Sequence, residues 1–230
     1  MSDLAALVFD VDGTLAETEE AHRRAFNETF PEYGLNWHWS VEDYTRLLKT
    51  TGGKERIRAF GAEIGGLPEG LDIAAMHADK TRRYGEIVAS GGLELRAGVA
   101  DLVKIARAAG LRVAVATTTN RPNVDALCRA CWGEPAEAVF HVVAAGDEVA
   151  RKKPAPDVYA LALDRLGVSP DRAIAFEDSR NGVLSARDAG LRVVVTPSTY
   201  TAHDDFAGAD WVIPSLRRQD LPEPLARRIF

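Results

Sequence analysis

Six short apolar runs, Leu4–Phe9, Leu111–Ala116, Val142–Ala145, Ala173–Phe176, Leu191–Val195 and Trp211–Ile213, set the frame of this chain. Each is too short for a helix and, apart from Arg112 and Arg192 near the start of two of them, apolar throughout, as a strand buried on both faces must be. Between them lie stretches of helical period: Val99–Ala109, Pro122–Cys131, Asp157–Leu166 and Ser179–Ala189. Gly110, Gly167 and Gly190 stand at the ends of three of these, where a helix stops most easily. Strand and helix in alternation predict an α/β fold, a Rossmann-like parallel sheet covered by helices.

Residues 17–90 break that rhythm, with helical periodicity, no strand-like run, and glycines at Gly52-Gly53, Gly61 and Gly65-Gly66. They read as an inserted helical cap domain, and 1–16 with 91–230 as the core domain. A chain of 230 residues suits one domain plus a smaller insertion. The cap leaves after the first strand, so it is expected over the C-terminal edge of the sheet, where open α/β folds bind ligands. The tail from Leu216 to Phe230 has mixed charge and prolines and receives no role.

Charge limits the partners. Twenty-eight basic against thirty-four acidic residues give a net charge of −6, so no global positive field draws in nucleic acid or an anionic membrane. No apolar run approaches the roughly 20 residues that span a bilayer, and the N-terminus has no signal-like pattern. A cytoplasmic monomer acting on a small molecule is expected. Cys128 and Cys131 fall late in a helical pattern, and no second pair exists to complete a zinc site, so they read as reduced, packed thiols. Trp37 and Trp39, beside His38, read as packing or lid–core contact.

Asp10-Val11-Asp12-Gly13-Thr14 places two carboxylates two residues apart at the end of the first strand, before a glycine that permits a tight turn. Both can face one cleft. One carboxylate can attack a phosphoryl group to form an aspartyl phosphate, while the other gives a proton to the leaving oxygen and later takes one from water. Alone, such a pair also fits a plain acidic turn.

Later signals follow further strands: Thr117 after Val113–Ala116, Lys153 before Pro154, and Glu177-Asp178. With Asp10–Thr14 in first place, this order resembles the four motifs of the haloacid dehalogenase superfamily of phosphohydrolases. An anionic substrate beside Asp10, Asp12, Glu177 and Asp178 needs counter-charge, and all-oxygen ligands suit Mg²⁺, with Asp10 and Asp178 as side-chain ligands. The resemblance implies that Asp12 contributes its backbone carbonyl and that Glu177 positions the metal shell. Lys153 supplies a positive charge and Thr117 a hydroxyl donor. Lys152 stands beside Lys153, and Thr118 and Thr119 beside Thr117; Lys153 is taken because Pro154 follows it, and Thr117 because it comes first after the apolar strand.

In the cap, Thr50–Arg56 sets small residues before a helical pattern and adds Lys54, a candidate anion-binding helix start. An ordinary helix–helix turn would look the same. Taken with Asp10–Glu19, Ala116–Thr119, Asn123–Cys131 and Lys152–Asp157, this stretch is similar to the CbbY family. That resemblance implies a Mg²⁺-dependent phosphatase that hydrolyses xylulose 1,5-bisphosphate, an inhibitor of Rubisco in the Calvin cycle, to xylulose 5-phosphate. It further implies that Glu17 contacts sugar hydroxyls, that Gly53, Lys54 and Lys80 lie near the distal phosphate, and that Thr118 and Asn120 also touch substrate. His22 matches a histidine of the related β-phosphoglucomutases. Ala97 stands where the family usually has proline, which should loosen the second hinge.

Two rivals remain. A phosphomutase of the β-phosphoglucomutase type shares the motifs but returns the phosphoryl group to a second hydroxyl. A receiver-type phospho-switch shares a doubly wound sheet, acids and a lysine, but has no helical lid.

Overall fold

The computed structural model describes residues 4–230. Its centre is a six-stranded, wholly parallel sheet in the order β3-β2-β1-β4-β5-β6. The strands are β1 (Ala6–Phe9), β2 (Arg112–Ala116), β3 (Val142–Ala144), β4 (Ala173–Glu177), β5 (Arg192–Val195) and β6 (Trp211–Val212). Each falls on one of the six apolar runs.

The sheet is sandwiched because its side chains alternate. In β1, Leu7 and Phe9 join one buried cluster with Val113, Val115, Ile174 and Phe176, under α5 (Val99–Ala108) and α6 (Arg121–Trp132). Ala6 and Val8 join another with Ala114, Ala175 and Val193, under α8 (Asp157–Leu166) and α9 (Arg180–Asp188). All four β1 side chains are fully buried, which for Leu7, Val8 and Phe9 is worth roughly 1.5–3 kcal/mol each. Two helices had no forecast: α7 (Ala136–Val139) and α10 (Glu223–Ile229). Leu216, Leu221, Leu225 and Ile229 complete the first cluster, so the tail closes the core beside α5.

Between β1 and α5 the chain carries helices: α1 (Glu19–Thr29), α2 (Val41–Leu47), α3 (Gly53–Glu63) and α4 (Ile73–Ala89). Phe26, Phe30, Trp39, Tyr44, Ile57 and Met76 give this segment its own buried cluster. Trp39 is fully buried between Phe26 and Phe30, so the tryptophans pack rather than face solvent. At the base of the segment, Ala16 forms a bridge with Leu95. Arg96 there donates to the carbonyls of Gly13, Thr196 and Pro197 and pairs with Glu17, tying the hinge that carries Ala97 to the loops around β1 and β5. Among the described residues no helix is long and apolar enough to cross a membrane. Both cysteines are free thiols, Cys128 buried and pushed up to about 12 by burial.

Candidate active site

Parallel pairing aligns Phe9 with Phe176, so the residues that follow them, Asp10 and Glu177, emerge side by side at one edge of the sheet. Asp178 comes next. One oxygen each of Asp10, Glu177 and Asp178 lies within 4.8 Å of the others, and all three side chains are buried. Gly13 makes this approach possible: its φ is +80°, and a Cβ there would collide with the Asp178 carboxylate.

A single ammonium answers these acids. Lys153 Nζ donates to Asp10 Oδ1 and to Glu177 Oε1, both at 2.6 Å. Of the two consecutive lysines, Lys153 is the one that turns inward; Lys152 pairs instead with Glu55 of α3. Burial pulls the Lys153 ammonium down, but Asp10 and Glu177 more than reverse this and hold it above its ordinary range. Burial pushes Asp10 up to about 8 although Lys153 opposes it, and Asp178 is raised by burial and by its neighbours Asp10 and Glu177. Three buried carboxylates against one lysine leave a surplus of negative charge in a low-dielectric place. An oxygen-only donor set of this kind fits a hard divalent cation.

Glu177 is already committed within the protein. Its Oε1 also accepts from Tyr159 Oη at 2.6 Å, and its Oε2 from the Asp178 amide at 3.3 Å. The Asp12 side chain lies outside the three-acid group. Its Oδ1 accepts from Thr18 at 2.6 Å and stands 3.0 Å from His22 Nε2. Burial alone would raise Asp12, but the pull of His22 and the bonds from His22 and Thr18 bring it to about 2. His22 Nδ1 in turn lies 2.6 Å from Lys80 Nζ. A neutral ring that accepts from Lys80 and donates to Asp12 satisfies both contacts. Burial and the neighbouring Lys80 hold His22 down at about 4; burial and Arg56 bring Lys80 to about 7.

Thr117 is buried at the end of β2, its amide bonded to Ala144 O at 3.1 Å and its hydroxyl accepting from the Thr119 amide at 3.2 Å. Thr118 is half-buried beside it. Asn120 caps α6 and donates to Thr81 of α4 at 3.1 Å. Gly53 and Lys54 open α3, both half-buried, with His77 of α4 against Gly53. Glu17 is exposed, paired with Arg96 at 3.3 Å and accepting from the Thr199 amide at 3.2 Å.

Several residues in this region receive no role from the sequence. Tyr159 and Thr18 are two. Thr201 donates to the carbonyl and carboxylate of Asp178 at 2.7 and 3.1 Å. Arg56 is buried, donates to Tyr44 Oη at 2.7 Å, and leaves its Nε without a hydrogen-bond partner. Their only common signal is a polar residue inside an apolar-periodic stretch, which identifies burial but not the partner.

A sheet edge that gathers three acids and a lysine around one small volume defines an enzyme of anionic substrates. A family model of haloacid dehalogenase-like hydrolases matches residues 4–190, and the chain belongs to that family. It is a phosphatase of that family, a phosphoric monoester hydrolase. Within the family it is CbbY-like. The protein CbbY of Rhodobacter capsulatus is 59% identical over 224 residues, which cover 96% of this chain and 99% of that one. A variant of CbbY from Rhodobacter sphaeroides, crystallised with xylulose 1,5-bisphosphate, superposes with a TM-score of 0.91 at 56% identity, covering 93% and 95% of the two chains. A β-phosphoglucomutase from Clostridium difficile, 18% identical over 98% of this chain and 97% of its own, shares the fold with a TM-score of 0.79.

Proposed function

We propose that this phosphatase hydrolyses a sugar bisphosphate, xylulose 1,5-bisphosphate to xylulose 5-phosphate, through a phosphoryl group carried on Asp10. The observation that carries the reading is the buried Lys153 ammonium held between Asp10 and Glu177 beside Asp178. The CbbY crystallised with that bisphosphate supports the choice of substrate.

In the first step an Asp10 carboxylate oxygen bonds to phosphorus as the bond from phosphorus to the sugar oxygen breaks. Asp12 gives that oxygen a proton, so the sugar leaves as an alcohol. Water then attacks phosphorus, giving its proton to Asp12, and the acyl phosphate bond breaks to regenerate Asp10. Lys153 offsets the charge of the incoming anion, and Thr117 with neighbouring amides donates hydrogen bonds to its oxygens. Mg²⁺ fits the donors of Asp10 and Asp178, with the Asp12 carbonyl as a third oxygen, and when bound it supplies Lewis-acid charge neutralisation. Glu177, both of whose oxygens are in use, orients that shell rather than joining it.

Asp12 must gain a proton before it can act as an acid. The His22–Lys80 pair is placed to hold one nearby: Lys80 near 7 exchanges protons at neutral pH, and His22 joins it to Asp12. The second phosphate docks at the start of α3, at Gly53 and Lys54, with Lys80 of α4 as a further charge and the unpartnered Nε of Arg56 as a donor. We further propose that residues 17–90 act as the cap domain and 1–16 with 91–230 as the core.

A phosphate-release screen over sugar mono- and bisphosphates, with and without Mg²⁺, tests the reading. Release from xylulose 1,5-bisphosphate that requires the cation is expected, and Lys54→Ala should weaken bisphosphates more than monophosphates. Background release with accumulation of an isomeric sugar phosphate would instead make it a mutase.

A further inference from the structure

Three ties fasten the first turn of α3 and the loop ahead of it to the core. Lys152 Nζ lies 2.9 Å from Glu55 Oε2, the Thr51 hydroxyl donates to the Lys153 carbonyl, and Asn181 at the start of α9 donates to Lys49 O at 3.1 Å. Two of the three end on consecutive residues of the segment that carries the site lysine. That segment is a firm anchor, because the Lys153 ammonium is buried between Asp10 and Glu177. Lys152 points away from the acids and across to α3. Its side chain is 18% exposed and that of Glu55 40%, so solvent screens the pair in part and it acts together with the other two ties. Gly52 leaves the room for it: with φ at +90°, a Cβ there would overlap both the Glu55 carboxylate and the Lys152 side chain.

We propose that Lys152 is a positioning residue that sets substrate length. Its pair with Glu55 fixes the distance between Asp10 and the start of α3, and so favours substrates whose two phosphates span that distance. This rests on the reading of Gly53 and Lys54 as the dock of the second phosphate. The role proposed for Lys152 runs through Glu55 and not through contact with either phosphate.

The test uses the full chain with Lys152→Met, Glu55→Gln, the double variant and the charge-swapped Lys152→Glu/Glu55→Lys. The substrates are xylulose 1,5-bisphosphate, fructose 1,6-bisphosphate and p-nitrophenyl phosphate, which has no second phosphate. Lys152→Met should raise KM for the pentulose bisphosphate about three- to fivefold, narrow its advantage over the hexose bisphosphate, and leave p-nitrophenyl phosphate within about twofold. The double variant should be no worse than the weaker single one, and the swap should recover part of the loss. Equal loss on all three substrates, or additive single effects, would overturn the proposal. Hydrogen exchange of the unliganded protein gives a reading independent of substrate. Residues 49–56 should exchange faster in Lys152→Met while β1 and β4 do not change; unaltered exchange at 49–56 overturns the tie. If the wild-type chain hydrolyses neither bisphosphate but this exchange difference is found, the dock reading fails and the tie stands.

Discussion

Lys153 and Asp10, 143 residues apart in the chain, meet through an Nζ–Oδ1 hydrogen bond of 2.6 Å in a volume nearly closed to water. The same ammonium serves Glu177, so one positive charge holds two acids. Lys153→Met removes the one cation that pairs with them among the described residues and leaves both carboxylates buried without it. In the absence of divalent cations, urea unfolding should show a loss of about 3–5 kcal/mol. A variant as stable as the wild type would mean that the pair contributes nothing to the fold.

Asp10→Asn keeps the shape of the side chain and removes its nucleophilic oxygen. Phosphate release should fall by about a thousandfold or more, with thermal stability retained or raised, because a desolvated acid is replaced by an amide. Residual turnover within tenfold of wild type would take Asp10 out of the reaction.

The surplus of buried negative charge predicts a response to cations before any substrate is added. At a concentration about 100 times its dissociation constant, Mg²⁺ should stabilise the fold by about 2.7 kcal/mol, seen as a rise in Tm that a chelator reverses. The rise should shrink in Asp178→Asn. Equal Tm values with and without Mg²⁺ or Mn²⁺ would count against a metal at Asp10 and Asp178.

His77 supplies a pH dependence with a definite sign. Burial, helped by Lys80, Lys54, Lys152 and His22, holds its imidazole down at about 3, against an ordinary value of 6.5. As pH falls below 6.5 the unfolded chain takes up this proton first, so stability drops, and the drop ends near pH 3. Between pH 7 and pH 5 the wild type should lose about 2 kcal/mol more than His77→Gln. Unfolding curves at the two pH values decide it; parallel losses in both proteins would show that His77 takes its proton equally in the folded state.

The strands and the four motif positions were legible because both are local. Apolar runs mark the strands to within a residue or two, and the parallel sheet brings their ends together, which is why Asp10, Lys153, Glu177 and Asp178 could be grouped from the chain alone. Lys153 was separable from Lys152 only by the Pro154 that follows it, since two adjacent lysines have the same chemistry and the packing of the 151–154 segment is what sets their directions. No such mark exists for Tyr159, which reads as one more apolar position of α8 yet carries the hydroxyl that meets Glu177. Glu17 is a further case. The family resemblance implies a sugar contact for it, and the structure adds a pair with Arg96, a residue 79 positions later that no local pattern connects to it. The tail offered prolines and charges in sequence, and its buried leucines became meaningful only against α5.

The Phe9–Phe176 alignment has a consequence for how this chain can vary. An insertion or deletion of one residue inside β1 or β4 would turn Asp10 or Glu177 to the opposite face, so the reactive end admits no change in strand length. Loops at the other edge of the sheet carry no such constraint, and new termini or fused partners belong there.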